Sequence, residues 1–79
     1  MAKLKLYTSN NCPFCVRVKN FIQENNIEGI EYANISESKE ERDFLMLNGG
    51  MMQVPCLFVD DEPMYESADI INYLKGITE

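Results

Sequence analysis

Histidine is absent from this chain, cysteine occurs only three times, and seven lysines and arginines face thirteen acidic residues. Each shortage excludes something. A structural zinc site takes four Cys or His ligands, so three cysteines without histidine leave one chain a ligand short. An odd cysteine count also fits poorly with the disulfide framework of a secreted domain. A formal charge of −6 argues against nucleic acid or an anionic membrane as partner, since both require a positive surface. No apolar run approaches the ~18–20 residues needed to cross a bilayer. Met1-Ala2-Lys3-Leu4-Lys5 lacks the apolar core and cleavage site of a secretory signal. Repeats, low-complexity tracts and linkers are missing as well. The expectation is a cytoplasmic protein forming one domain over residues 1–79, with an apolar fraction of 46% that is ordinary for a globular chain.

The charge is spread along the chain, apart from an acidic lean at Asp60-Asp61-Glu62. It reads as solvated surface, with attraction of positively charged partner proteins as the sharper alternative.

Lys3 to Tyr7 alternates polar and apolar residues and leads into the polar Thr8-Ser9-Asn10-Asn11, which predicts a strand and a loop. Pro13 opens a helix whose apolar face is Phe14, Val18, Phe21 and Ile22, and Asn25-Asn26 and Gly29 end it. Ile30 to Ile35 alternates again and predicts a second strand. Ser38 with Glu41 matches a capping box for a helix running toward Leu47, stopped by Asn48-Gly49-Gly50. Cys56 to Val59 is a buried strand, Asp60-Asp61 a turn, and Pro63 to Tyr65 a short return strand. Ser67 is expected to cap a last helix through Leu74, with Gly76 at its end. The order β-α-β-α-β-β-α predicts an α/β fold with one four-stranded mixed sheet flanked by helices, the first two strands parallel and the last two antiparallel.

The chemistry gathers at Cys12-Pro13-Phe14-Cys15. A thiolate, not a thiol, is the nucleophile of disulfide exchange. With Pro13 first in the helix, Cys12 falls at the N-cap, where the Phe14 and Cys15 N–H groups and the helix dipole favour an anion. Its pKa is expected below the free value of ~8.5. Cys15 lies one turn further, toward the apolar side. Cys12 is therefore the attacking cysteine and Cys15 the resolving one. Phe14 fits the core and the contact surface equally well. Arg17 and Lys19 read as solvated surface.

In Gln53-Val54-Pro55-Cys56-Leu57 a proline stands at a strand entrance, which suits a turn or an edge. A cis Val54–Pro55 bond would leave the Val54 N–H and C=O free to pair with an extended ligand. Cys56 reads as a buried strand residue, with a modifiable third thiol as the alternative. Met46, Met51 and Met52 read as packing residues or an apolar rim.

Tyr7-Thr8, Cys12-Pro13-Phe14-Cys15, Arg17 and Lys19 resemble the glutaredoxin family of the thioredoxin fold. Gln53-Val54-Pro55-Cys56-Leu57 and Tyr65-Glu66-Ser67-Ala68-Asp69-Ile70 look more like the glutathione-transferase-type glutaredoxins. The resemblance implies a dithiol enzyme using glutathione as co-substrate, with no tightly bound cofactor and no metal. It implies a cis proline at Pro55, backbone pairing of Val54 with glutathione, and the γ-glutamyl end at Glu66 and Ser67. The implied glutathione site is Cys12, Phe14, Gln53, Val54, Pro55, Glu66 and Ser67. The implied partners are glutathione and disulfide-bonded or glutathionylated proteins, met as a monomer. Ser9 stands where many of that family carry a lysine, and with it goes a cation for the Cys12 thiolate and for a glycyl carboxylate. The transferases add a helical domain for which 79 residues leave no room, so transferase activity is not expected. Two other readings are a thioredoxin-like redoxin reduced by thioredoxin reductase, and an iron–sulfur carrier sharing a cluster between two chains. Pro13 counts against the second.

Overall fold

The computed structural model describes residues 3–51 and 53–78, so Met52 of the expected methionine rim lies outside the described residues. The elements run β1 (Leu4–Thr8), α1 (Pro13–Glu24), β2 (Ile30–Asn34), α2 (Lys39–Gly49), β3 (Cys56–Val59), β4 (Glu62–Met64) and α3 (Ser67–Thr78). The sheet order is β2-β1-β3-β4. β1 is parallel to β2 and antiparallel to β3, and β3 is antiparallel to β4, as the element order predicts.

Strand alternation splits the apolar residues between two faces. Leu4 and Leu6 of β1 and Leu57 of β3 meet Val18 and Ile22 of α1 and Ile70 and Leu74 of α3. On the opposite face Tyr7, Ala33, Cys56 and Phe58 meet Leu45, the buried residue of α2. Leu45 is fully buried, and that burial stabilises by about 1.5–3 kcal/mol. Lys5 adds a 2.8 Å ion pair to Glu41 across the same face. Both partners are part-exposed, so its contribution is below about 1 kcal/mol.

The helix ends follow local chemistry. Ser38 Oγ accepts from the Glu41 N–H at 3.3 Å. The reciprocal half of the capping box does not form, because Glu41 turns to Lys5 and the Ser38 N–H donates to Asn34 O. Gly50 ends α2 at φ 82°, a left-handed conformation that glycine adopts without a Cβ penalty.

Two expectations are corrected. α3 begins at Ser67, one residue earlier than a capping serine allows. The Ile70 N–H donates to Glu66 O at 2.9 Å, so Glu66 occupies the cap and Ser67 the first helical position. Gly76 lies inside α3 rather than ending it, since the helix continues to Thr78. Met46 and Met51 are half exposed and do not pack into the core.

Candidate active site

The site sits where β1 gives way to α1. The loop between them is pinned by polar bonds to the β2–α2 connection. The Asn10 N–H donates to Ser36 Oγ at 3.1 Å, and Asn34 Nδ2 donates to Asn10 Oδ1 at 2.8 Å. Ile35 N–H closes the same joint on Thr8 O at 2.8 Å. These partners lie 24 to 27 residues apart, so nothing local in the sequence marks them.

Cys12 takes the N-cap of α1 with extended backbone (φ −135°, ψ 96°), and Pro13 is the first helical residue. The sulfurs of Cys12 and Cys15 are joined as a disulfide, with Cα atoms 5.1 Å apart. Of the two expected donors, the Cys15 N–H reaches Cys12 Sγ at 3.1 Å. No bond from Phe14 N–H to that sulfur forms among the described residues. Cys15 is 1% exposed and Cys12 8%, so the two sulfurs differ in access in the expected direction.

The Val54–Pro55 bond is cis. Val54 O lies 3.7 Å from Cys12 Sγ, which carries no proton in the disulfide. The carbonyl therefore faces the dithiol rather than open solvent, a correction to the expectation that both Val54 backbone groups turn outward. The Val54 N–H has no acceptor among the described residues.

Phe14, Gln53, Val54, Pro55, Tyr65, Glu66 and Ser67 line one groove of about 110 Å³. Every residue expected at the glutathione site, apart from Cys12 beside it, is thus on one surface. Phe14 is 58% exposed, which places it at the contact surface rather than the core. Tyr65 belongs to the motif but carried no expected role at the site. Its ring walls the groove while its hydroxyl donates to Met51 O at 3.1 Å and packs against Gly49, where a Cβ would overlap it. A tyrosine beside Glu66-Ser67 carries no sequence signal for that role.

Other expected positions fall elsewhere. Arg17 lines a groove between α1 and α3, and Lys19 lies with Gln23 and Tyr32. Cys56 is fully buried on the α2 face. Burial pushes its thiol up to about 11, with the Met64 backbone and the Tyr65 side chain acting in the opposite direction. A thiol so placed is neither accessible nor ionised at neutral pH, which sets aside the modifiable third thiol. Among the described residues no group of three or more His, Cys, Asp or Glu is placed to hold a metal ion. None of their helices is long and apolar enough to cross a membrane.

A family model described as Glutaredoxin matches residues 4–64, ending just before Glu66 and Ser67. The chain is 31% identical over 72 residues to glutaredoxin 1 of Rickettsia prowazekii, covering 89% of this chain and 75% of that one. Against two further glutaredoxin 1 proteins of that genus the match spans 56% of their length. Among solved structures, a thioredoxin-like protein superposes with a TM-score of 0.80 at 27% identity, covering 95% of this chain and 99% of that one. A glutathione S-transferase from the Antarctic clam Laternula elliptica superposes at 0.73 with 32% identity, over 96% of this chain and 35% of that one. The fold is thioredoxin-like.

Proposed function

The chain belongs to the glutaredoxin family, and we propose that it is a glutathione-dependent dithiol oxidoreductase reducing protein disulfides and glutathione mixed disulfides through Cys12 and Cys15. The family itself implies thiol oxidoreductase activity; the reductant and the two-cysteine route are the proposal. The observation that carries it is the groove beside the disulfide, with Val54 O 3.7 Å from Cys12 Sγ and Glu66 and Ser67 in the same lining.

In the reduced protein, two local groups compete over the Cys12 proton. Val54 O favours the thiol, while the Cys15 N–H and the helix dipole favour the thiolate. In the disulfide the N–H lies 3.1 Å and the carbonyl 3.7 Å from Cys12 Sγ, and in this reading the thiolate is the attacking form. The Cys12 thiolate attacks one sulfur of a substrate disulfide, forming a mixed disulfide. The displaced sulfur leaves as a thiolate and takes a proton from water. Cys15 loses its proton, attacks Cys12 Sγ and expels the second substrate sulfur, leaving the Cys12–Cys15 disulfide. Two electrons have moved to the substrate. Two glutathione thiols then return them by the same exchange and leave as glutathione disulfide.

In this reading Val54 N–H pairs with the backbone of glutathione as an added strand would. Ser67, first in α3, offers its hydroxyl and backbone N–H to the γ-glutamyl carboxylate, and Glu66 meets the ammonium. Phe14, Pro55 and Gln53 supply the walls. We take residues 1–79 as one domain acting as a monomer in the reducing cytosol.

Reduction of a glutathione mixed disulfide, coupled to glutathione reductase, tests this directly. Turnover with glutathione and none with thioredoxin reductase is expected. The reverse result would instead establish a thioredoxin-like redoxin, the reading favoured by the superposition on a thioredoxin-like protein over 99% of its length.

A further inference from the structure

The groove is one-sided in charge. None of the seven basic residues lines it, and Glu66 is its one ionised side chain. The cations nearest the dithiol in sequence line other grooves, Arg17 the one between α1 and α3 and Lys19 the one with Gln23 and Tyr32. Lys5 is held by Glu41 on the α2 face. Glu66 precedes α3, and Asp69 stands in its first turn. Neither forms an ion pair among the described residues. The whole chain adds a net charge of −6, a field that draws cations to the groove and repels anions.

We infer that the site selects its disulfide substrates by positive charge, preferring a cysteine in an extended basic segment whose lysine or arginine reaches Glu66. This rests on the groove being the substrate site, as proposed above. The Val54 N–H holds the segment's backbone while Glu66 holds its cation, and the cysteine sulfur is thereby presented to Cys12. Acidic segments meet the same carboxylates as a barrier. The chemistry is unchanged: reduced Cys12 and Cys15 give two electrons to a peptide disulfide, and two peptide thiols and the Cys12–Cys15 disulfide result.

Three matched symmetric peptide disulfides test it, with the cysteine flanked by lysine, glutamine or glutamate. Each is mixed with pre-reduced full-length protein, and freed peptide thiol is followed by quenched flow. Rates are normalised to those of dithiothreitol with the same peptide, which removes intrinsic reactivity. At ~0.01 M ionic strength the lysine peptide should react at least about tenfold faster than the glutamate peptide, with glutamine between, and the ratio should fall toward about two at ~0.5 M. Glu66→Gln should shrink the low-salt ratio by about threefold. Equal rates for the lysine and glutamate peptides, a ratio indifferent to salt, or a ratio undiminished in Glu66→Gln would overturn the inference while leaving the oxidoreductase in place. No reaction with any peptide that dithiothreitol reduces would overturn both.

Discussion

Cys56 offers the most direct check on how the structure divides its three thiols. It is fully exposed to chemistry only if the α2 face opens, because Tyr7, Leu45 and Phe58 enclose it. In a Cys12→Ser/Cys15→Ser protein it is the one remaining thiol. A free cysteine with a pKa of ~8.5 is about one-tenth thiolate at pH 7.5. At about 11, the position burial gives Cys56, the thiolate is roughly 3 parts in 10,000. Iodoacetamide labelling of the folded protein, followed by mass spectrometry, should therefore run at least ~300-fold slower than labelling in denaturant, before exclusion of the reagent is counted. Labelling within tenfold of the denatured rate, in protein with an unaltered melting curve, would refute the reasoning.

The same burial has a thermodynamic sign. The folded state holds the Cys56 proton that the unfolded chain releases near pH 9, so this contribution to stability is intact below pH 9. It is lost as pH rises through about 11, up to about 3 kcal/mol for the two-unit shift. Lys5, raised by its hydrogen bond to Glu41, acts in the same direction. Melting temperature should fall between pH 9 and 11, and less steeply in Cys56→Ala.

Cys12→Ser should abolish reduction of both substrate classes. Cys15→Ser should retain reduction of glutathione mixed disulfides, which needs one thiol, and lose protein-disulfide reduction by at least ~100-fold; equal losses in the two assays would show the roles misassigned. Ser67→Ala should raise the KM for glutathione by about tenfold, one hydrogen bond to a charged group, with kcat little changed. An unaltered KM would leave Ser67 with a purely helical role. In Gly49→Ala the new Cβ overlaps the Tyr65 hydroxyl and sits 3.2 Å from Tyr65 Cζ and 3.4 Å from Leu45 Cδ1. Tyr65 must swing and give up Met51 O, which should lower stability by about 1–2 kcal/mol and raise the KM several-fold. Wild-type values for both would show the Tyr65 wall to be dispensable.

The local part of this protein is written in its sequence, because each feature depends on neighbours within one turn or one strand. Pro13 places Cys12 at a helix cap, and Phe14 to Ile22 orient α1 with Cys15 and Val18 inward. Strand alternation assigns Leu4 and Leu6 to one face and Tyr7 to the other. What joins residues far apart in the chain had to wait for the fold. Val54 O meets Cys12 Sγ across 42 residues, and periodicity carries no information about such a contact. Ser67 looked like a cap, yet the first bond of α3 closes on Glu66, a shift of one residue that composition cannot resolve. The motifs named the residues of the groove, but not that Tyr65 would wall it or which other grooves Arg17 and Lys19 would line. Charge selectivity is a property of that tertiary placement. The same seven cations and thirteen anions, distributed differently over the surface, would leave the dithiol chemistry intact and change which substrates reach it.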